Sequence, residues 1–489
     1  MAGVYKWTSI DKLCNTVLTA VGNIALARLL SPTEFGLLAM VQIFWALAFN
    51  FSNWGMCDGL IQKLHPTEDD YSTVFSFNTA SGILISIILI FLAQPVARFY
   101  NEPALFNIML AIGICFFFQA MCIVQETRLR KELKMKKIAI VHILSSFCAV
   151  SLGIILAALG YGYWGLVCCR IFLSVFMFLF YVIATRWMPR FKIVKKSFHE
   201  MFRYGVNLML SYLANQISLN INAMALGKIA GSLAGIYSQG QKLVDVPYKI
   251  IDSVFNWPFF AVLSNEPDCM RRRVMCREML SSISLVSVGG GMLLGLMASP
   301  LFKVLFGAKW DPAIPVFRIL LCYGILCSFK YFFQTILKSY DRTALVRNYT
   351  IMEVVLQLTA LALVFRRGIE WIAWTQVGAT AMVMPFYVFK FCKLQNTKFW
   401  QLLRDIVFGM IVPMIACVIT TVCYLLWNGH VADIVNLLAV LSMFIGLCII
   451  LWEFFPTRFY AKLRNRVSAR IPFLKSIPPM AEDNPLDMI

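Results

Sequence analysis

The stretch TVFSFNTASGILISIILIFLAQP, residues 73–95, is mostly apolar and contains no charged side chain. A helix of about 20 mostly apolar residues crosses the hydrocarbon core of a membrane, so the stretch predicts a transmembrane helix. Thirteen further stretches of similar character make us expect an all-α integral membrane protein with about 14 transmembrane helices. The fourteen stretches lie near residues 9–29, 35–57, 73–95, 104–124, 138–159, 163–186, 201–224, 234–260, 279–299, 314–336, 345–365, 370–391, 404–426 and 433–454.

The composition of the whole chain agrees with a membrane protein. Of 489 residues, 60% are hydrophobic and 14% are charged, whereas soluble domains are about half apolar and about a quarter charged. The net charge of +19 also suits a nucleic-acid-binding protein, but so apolar a chain excludes that class. The 15 Cys show no CxxC spacing and the four His are scattered, so we expect no metal site, disulfide framework or cofactor.

Basic residues in the connections predict the orientation, because Lys and Arg are enriched in cytoplasmic loops. With the N-terminus inside, the inner segments hold 32 basic residues and the outer connections hold seven. Both termini are therefore expected on the cytoplasmic side. The five basic residues that fall within spans are Arg170, Lys242, Lys249, Arg318 and Lys330.

Four short patterns recur in the same order, 200 to 209 residues apart. Six spans separate equivalent positions, so the two halves have the same orientation and a pseudo-two-fold axis along the membrane normal. We expect six-helix lobes at 1–195 and 196–396, two extra helices at 397–455, and a cytoplasmic tail at 456–489. Residues 27–36, 93–98, 103–104 and 162–164 match residues 227–235, 298–303, 312–313 and 368–371, respectively.

Polar residues inside several spans recur at helical spacing, which places them on one face. Such groups usually face the protein interior or water, so spans 1–2 and 7–8 are expected to line a hydrated central cavity. Asn side chains could instead bond neighbouring helices, and the charges of span 8 could neutralise one another. An Arg inside a span needs a carboxylate, a phosphate or water. The stripe in span 8 consists of Ser238, Lys242, Asp245, Lys249, Asp252 and Asn256.

The sequence LARLLSPTEFGLLAM, residues 26–40, resembles the signature of bacterial polysaccharide transporters. Residues 59–63, 70–75, 97–100 and 306–310 are similar to the same family, the Wzx-like or colanic-acid-exporter-like flippases of the MATE-related MOP superfamily. The resemblance implies two lobes around a V-shaped central cavity, alternating access, and a flippase that is not an enzyme. The implied substrate is an undecaprenyl-pyrophosphate-linked oligosaccharide, an O-antigen, capsule or exopolysaccharide unit, carried across the bacterial cytoplasmic (inner) membrane.

This substrate suggests which residues bind it. A pyrophosphate binds cations, and the hydroxyl groups of a sugar bind amides. The candidates for the pyrophosphate are Lys12, Arg28, Lys242, Lys249, Arg318 and Lys330, and those for the sugar path are Asn15, Asn23, Asn215, Asn222 and Gln239. The candidates for coupling to Na⁺ or H⁺ are Asp58, Asp245, Asp252 and Glu353, each with a salt-bridged structural role as the open alternative.

Two other functions compete with flipping. A cation-coupled multidrug antiporter of the same superfamily needs an acidic cavity, whereas Asp245 and Asp252 have Lys neighbours that suit an anionic ligand better. A membrane-embedded glycan polymerase typically uses sizeable outer loops, and the outer loops here are short. We expect a monomer, with the lipid-linked oligosaccharide and membrane lipids as partners and other glycan-assembly proteins as further candidates.

Overall fold

The computed structural model describes residues 2–53, 56–63, 66–187, 191–256, 259–260, 262–263, 266–340, 342–426 and 433–454. Within these ranges the secondary structure is helical and contains no strand. The predicted tail at 456–489 lies outside the described residues, as do the side chains of Asp58 and Asn215.

In the described residues, each of the fourteen predicted stretches overlaps one helix or two consecutive helices. A π-helical turn, Asp252–Asn256, continues α9, and a 3₁₀ turn, Ala308–Trp310, precedes α12. The helices are α1 (Ala2–Leu29), α2 (Pro32–Asn53), α3 (Met56–Gln62), α4 (Glu68–Tyr100), α5 (Ala104–Lys131), α6 (Met135–Ala158), α7 (Trp164–Thr185), α8 (Lys195–Ile229), α9 (Gly231–Ile251), α10 (Cys269–Leu296), α11 (Ala298–Leu305), α12 (Ala313–Ser339), α13 (Thr343–Val364), α14 (Ile369–Gln395), α15 (Phe399–Leu426) and α16 (Asp433–Phe454).

Nine helices of the described chain are long and apolar enough to cross a membrane by length and composition alone. They are α2, α4, α5, α6, α7, α10, α12, α14 and α15. The helices α1, α8, α9 and α13 are long but carry the polar residues noted in the sequence. The all-α membrane fold is therefore confirmed, while the count of fourteen spans stays a prediction.

Contacts divide the chain into two compact units. Unit 1 runs to Gln239 and includes Leu361–Ile372, and unit 2 comprises the other described residues. In unit 1, α4 packs on α5, α6 packs on α7 and α1, and α2 packs on α8. In unit 2, α10 packs on α12 and α15, and α15 packs on α16. The lobe and tail boundaries expected from the sequence stay predictions.

The local backbone repeats where the sequence repeats. Pro103 precedes α5 with φ −60° and ψ −29°, and Pro312 precedes α12 with φ −61° and ψ −15°. Gly162 and Gly368, which match in the fourth pattern, have φ values of +57° and +109°. Positive φ favours glycine because it has no Cβ atom. Equivalent turns therefore begin equivalent helices, which supports the duplication.

The two turns matched by the first pattern touch each other within unit 1. A Cβ atom at Gly36 would lie 1.8 Å from the carbonyl oxygen of Gly231, and one at Gly235 would lie 1.9 Å from that of Pro32. No side chain fits at such distances. Glycine at both positions therefore allows the α1–α2 and α8–α9 turns to approach backbone to backbone.

An ion cluster joins the start of α4 to the end of α5. Arg128 donates hydrogen bonds of 3.0 and 2.7 Å to Glu68 and of 3.2 Å to Glu132. Its guanidinium lies 5.0 Å from the ring centroid of Trp187. Partial burial acts to raise the pKa of Glu132, but the hydrogen bonds from Lys134 and Arg128 outweigh it and hold the pKa below its ordinary value. The cluster includes basic residues that the sequence places on the cytoplasmic side.

Candidate functional site

A buried ion pair lies near the middle of three helices in unit 2. The Nζ atom of Lys330 in α12 lies 3.0 and 3.2 Å from the two carboxylate oxygens of Glu353 in α13. Thr380 in α14 donates a 2.6 Å hydrogen bond to the nearer oxygen. Only 8% of the Lys330 side chain and 4% of the Glu353 side chain are exposed. The two charges thus neutralise each other away from solvent.

Aromatic side chains enclose this pair. The Nζ atom of Lys330 lies 5.4 Å from the ring centroid of Tyr331, close enough for a cation–π contact. One turn further along α12, Gln334 donates a 3.0 Å hydrogen bond to the hydroxyl of Tyr387. Because the ammonium of Lys330 already balances the carboxylate of Glu353, another cation can bind there only if Lys330 moves away.

The predicted polar stripe of α9 contains local pairs. Lys249 donates a 3.0 Å hydrogen bond to Asp245, and Asn256 donates one of 2.9 Å to Asp252. The Lys249 side chain is 76% exposed and that of Asp245 is 30% exposed. Pro247 lies within the helix and the π turn follows it, and both features interrupt regular backbone hydrogen bonding. These contacts favour the self-neutralising alternative for Asp245 and Lys249.

Two arginines inside predicted spans make no ion pair with any residue that the structure describes. Arg318 is the sixth residue of α12 and its side chain is exposed. Arg170 is the seventh residue of α7, and its guanidinium lies 5.6 Å from the ring centroid of Trp45. Three other predicted phosphate ligands are also exposed, Lys12 and Arg28 in unit 1 and Lys242 in unit 2.

The predicted sugar-path residues differ in their surroundings. Asn222 is fully buried and donates hydrogen bonds of 3.1 Å to the hydroxyl of Tyr237 and to the carbonyl of Ile372. Gln239 is also fully buried, and neither of its amide atoms has a hydrogen-bond partner among the described residues. Asn23 is half-buried. Asn222 thus links helices, as the alternative reading of the sequence foresaw, whereas the buried amide of Gln239 could still bind a ligand.

A polar network around His142 joins α1, α6 and α7. The Nδ1 atom of His142 lies 3.1 Å from both carboxylate oxygens of Asp11, and its Nε2 atom lies 2.8 Å from the hydroxyl of Tyr181. Asn15 donates a 2.6 Å hydrogen bond to Asp11 and accepts one of 2.7 Å from Ser146. The predicted sugar ligand Asn15 is therefore engaged in contacts between helices.

The same histidine lies near a second carboxylate. Glu126 in α5 has an oxygen 3.9 Å from the Nε2 atom of His142, and Arg130 donates a hydrogen bond to Glu126. An imidazole between two carboxylates can hold a proton. The sequence gives no signal for this network, because His142 and Asp11 are 131 residues apart and no spacing pattern connects them.

Comparisons with known proteins show the family of the chain. A family model described as polysaccharide biosynthesis protein matches residues 25–315. Three curated relatives share 24–26% identity with the chain, and the alignments span 65–66% of this chain and 65–67% of theirs. They are the teichuronic acid biosynthesis protein TuaB of Bacillus subtilis (strain 168), the succinoglycan biosynthesis transport protein ExoT of Rhizobium meliloti (strain 1021) and the lipopolysaccharide biosynthesis protein WzxC of Escherichia coli (strain K12).

Solved structures share the fold at low sequence identity. The Lipid II flippase MurJ in its inward closed conformation has a TM-score of 0.76 and 11% identity, and the match covers 91% of this chain and 98% of that one. An inward-facing multidrug resistance MATE family transporter of the MOP superfamily has a TM-score of 0.61 and 14% identity, covering 81% and 99%. These matches show that the chain has the fold of these transporters, as the sequence predicted. The chain belongs to the polysaccharide biosynthesis protein family, and it is a multi-helix membrane protein that shares the fold of MOP superfamily transporters.

Proposed function

We propose that the protein moves an undecaprenyl-pyrophosphate-linked oligosaccharide from the inner to the outer leaflet of the bacterial cytoplasmic membrane by alternating access. The substrate is an O-antigen, capsule or exopolysaccharide unit, and both termini lie in the cytoplasm. The family supports this proposal, since its relatives are named for the biosynthesis of three different polysaccharides. The fold supports it too, since a Lipid II flippase shares it.

The observation that carries the proposal is the exposed guanidinium of Arg318. It lies in the second turn of a membrane helix and pairs with no carboxylate of the described chain. A charged Arg within a membrane is costly unless a partner neutralises it. The pyrophosphate of a lipid-linked sugar supplies such a partner through charge-assisted hydrogen bonds, which Arg forms in pairs.

The carboxylates favour an anionic substrate over a cationic one. Lys330 neutralises Glu353, and Lys249 pairs with Asp245. A cation-coupled drug antiporter is the second candidate, because a multidrug resistance MATE family transporter shares the fold at a TM-score of 0.61. Such a carrier would need a carboxylate that binds an organic cation of drug size, and in this structure a lysine side chain occupies each of these two carboxylates.

Glu353 is the coupling group in this proposal. It lies at the middle of α13, and its cationic partner is the ammonium of Lys330. A proton or Na⁺ would replace Lys330 as the counter-charge of Glu353 during the transport cycle. The hydrogen bond from Thr380 would hold the carboxylate in place while its counter-charge changes.

Deleting the gene in its host tests the proposal. We expect the deletion strain to lose the exported glycan and to accumulate its lipid-linked precursor on the cytoplasmic leaflet. The wild type should restore export, Arg318→Ala should restore less than about a tenth of it, and Arg318→Lys should be intermediate. Lys303→Ala is the matched control, because Lys303 is an exposed cation of the same unit at a helix end.

Two results would contradict the proposal. Normal glycan export in the deletion strain, together with lost dye extrusion, would establish the drug antiporter. Full export by Arg318→Ala at the wild-type protein level would remove Arg318 from the substrate site.

A further inference from the structure

The turn between α1 and α2 and the turn between α8 and α9 meet in a reciprocal contact within unit 1. The glycine of each turn approaches the carbonyl of the other turn, since a Cβ atom at Gly36 would meet the oxygen of Gly231 and one at Gly235 that of Pro32. Pro32 begins α2 and Gly231 begins α9, and each lies four residues before the glycine of its own helix. Such an exchange of equivalent contacts indicates a local two-fold axis between the turns.

Side chains next to this contact fill the space between the helices. Met40 of α2 is fully buried. Cβ atoms at Gly227 and Gly231 would lie 2.4 Å from its Cγ atom and 2.9 Å from its Cε atom, so Met40 fills the room that these two glycines leave. Tyr100, the last residue of α4, donates a 3.3 Å hydrogen bond to the carbonyl of Met224 in α8. The ends of α2, α4, α8 and α9 are thus packed against one another.

Lys228 joins the last turn of α8 to the last turn of α4. Its ammonium donates a hydrogen bond to the carbonyl oxygen of Phe99 and lies 4.5 Å from the centroid of the Phe99 ring. Carbonyls in the last turn of a helix lack partners within the helix and carry partial negative charge, which favours a cation there. The side chain of Lys228 is exposed, so water can replace its partner if the two helices separate.

We propose that residues 30–36 and 230–235 form the outer gate of the transport path, with Lys228 as its latch. The predicted orientation places both turns on the outer side of the membrane. In a duplicated carrier the substrate site lies between the equivalent repeats, and access alternates as one repeat moves against the other. A contact on the local two-fold axis at the outer side must therefore open before the substrate can leave. This inference rests on the proposed function.

The contact can open at low cost. The two glycines contribute no side chain to it, so little apolar surface is lost there when the turns separate. The hydrogen bonds of Lys228 and Tyr100 end on backbone carbonyls, and water can satisfy both donors and both acceptors after separation. A single charge-assisted hydrogen bond, that of Lys228, is then the main latch on the opening.

Labelling of Met40→Cys from the outer side of right-side-out membrane vesicles measures how often the gate opens. The reagent is a membrane-impermeant maleimide, and mass spectrometry distinguishes the label at this position from label on the native cysteines. We expect Lys228→Gln to speed this labelling about tenfold, because it removes a charge-assisted hydrogen bond. Lys228→Arg keeps the charge and should label slowly. Arg98→Gln is the matched control, because Arg98 is an exposed cation at the same end of α4 and should leave the rate unchanged.

A reversible cross-link tests whether the gate must open for transport. The methyl group of Thr33 lies 3.9 Å from a Cβ atom placed on Gly231, so Thr33→Cys/Gly231→Cys should form a disulfide on oxidation. We expect the disulfide to stop flipping of the lipid-linked oligosaccharide in liposomes and to block labelling of Met40→Cys, and reduction to restore both. Oxidised wild type corrects for the native cysteines.

A second cysteine pair is the matched control for this cross-link. A Cβ atom at Gly22 in α1 would lie 3.5 Å from the Cβ atom of Val150 in α6, a distance that suits a disulfide. The pair lies outside the proposed gate, so oxidised Gly22→Cys/Val150→Cys should flip as the reduced protein does.

Three results decide between the possibilities. Undiminished flipping by the oxidised Thr33→Cys/Gly231→Cys protein would overturn the gate. Equal labelling rates with Lys228 and with Lys228→Gln would overturn the latch. Labelling needs no substrate, so it tests the gate even without transport. If labelling responds as expected but the reduced protein flips nothing, the gate is supported and the proposed function fails.

Discussion

The ammonium of Lys330 and the carboxylate of Glu353 lie 3.0 Å apart, inside unit 2 and almost fully removed from solvent. Removing one partner of such a pair leaves an uncompensated charge in a medium of low polarity. We therefore expect Lys330→Met and Glu353→Gln each to lower the free energy of unfolding by about 3–5 kcal/mol. Thermal unfolding of the purified protein in detergent measures the loss.

The double variant Lys330→Met/Glu353→Gln is the control for this pair. It contains neither charge, so it should be more stable than either single variant. If the double variant instead loses as much free energy of unfolding as the two single variants together, the two residues are not coupled. A transport assay of the double variant distinguishes a structural role of the pair from a functional one. If the double variant is stable but does not transport, the pair takes part in the transport cycle.

Gly36 and Gly235 should not tolerate a side chain. A methyl group at Gly36 would meet the carbonyl oxygen of Gly231 at 1.8 Å, so the turns must separate. We expect Gly36→Ala to destabilise the protein by at least the roughly 1–3 kcal/mol typical of overpacking. Gly235→Ala should behave alike, since its Cβ atom would lie 1.9 Å from the carbonyl oxygen of Pro32.

Gly378→Ala is the matched control for these glycines. Gly378 lies within α14, and a Cβ atom there would meet nothing within 4 Å. It should leave the melting temperature unchanged or raise it, because Ala stabilises a helix relative to Gly. Equal melting temperatures for Gly36→Ala and Gly378→Ala would refute the close contact between the two turns.

His142 should stabilise unit 1 through its polar contacts. The variant His142→Leu removes one of the two partners of Asp11, which keeps Asn15, and the partner of the buried Tyr181 hydroxyl. A buried polar group without a partner costs about 1–3 kcal/mol, so the melting temperature should fall. His199→Leu is the control, because His199 is exposed and should tolerate the change. A similar melting temperature for both variants would mean that the network contributes nothing to stability.

The positions of the helices were predictable from the sequence because a membrane demands long apolar stretches. The stretch at 73–95 illustrates this, since it falls within α4. Turns were also predictable, because they need particular residues: Pro103 and Pro312 directly precede α5 and α12, and Gly162 and Gly368 adopt positive φ. The duplication itself stays a prediction. Requirements of this local kind, for a membrane span or for a turn, can be recognised in a single sequence.

Partners across helices were not predictable. Lys330 and Glu353 both stood out as charges within spans, but their pairing depends on how α12 packs against α13. His142 stands alone in the sequence because its partners lie on three other helices, α1, α5 and α7. Such contacts between distant residues follow from packing, which composition and spacing do not encode.

The most direct test of the account measures flipping by the purified protein in liposomes. The probe is an undecaprenyl-pyrophosphate-linked oligosaccharide, compared with the same sugar on an uncharged lipid. We expect the protein to carry the pyrophosphate-linked form to the opposite leaflet well above the rate in empty liposomes, and Arg318→Ala to lower that rate about tenfold or more. Equal transport of both lipids, or no transport above that of empty liposomes, would contradict the account.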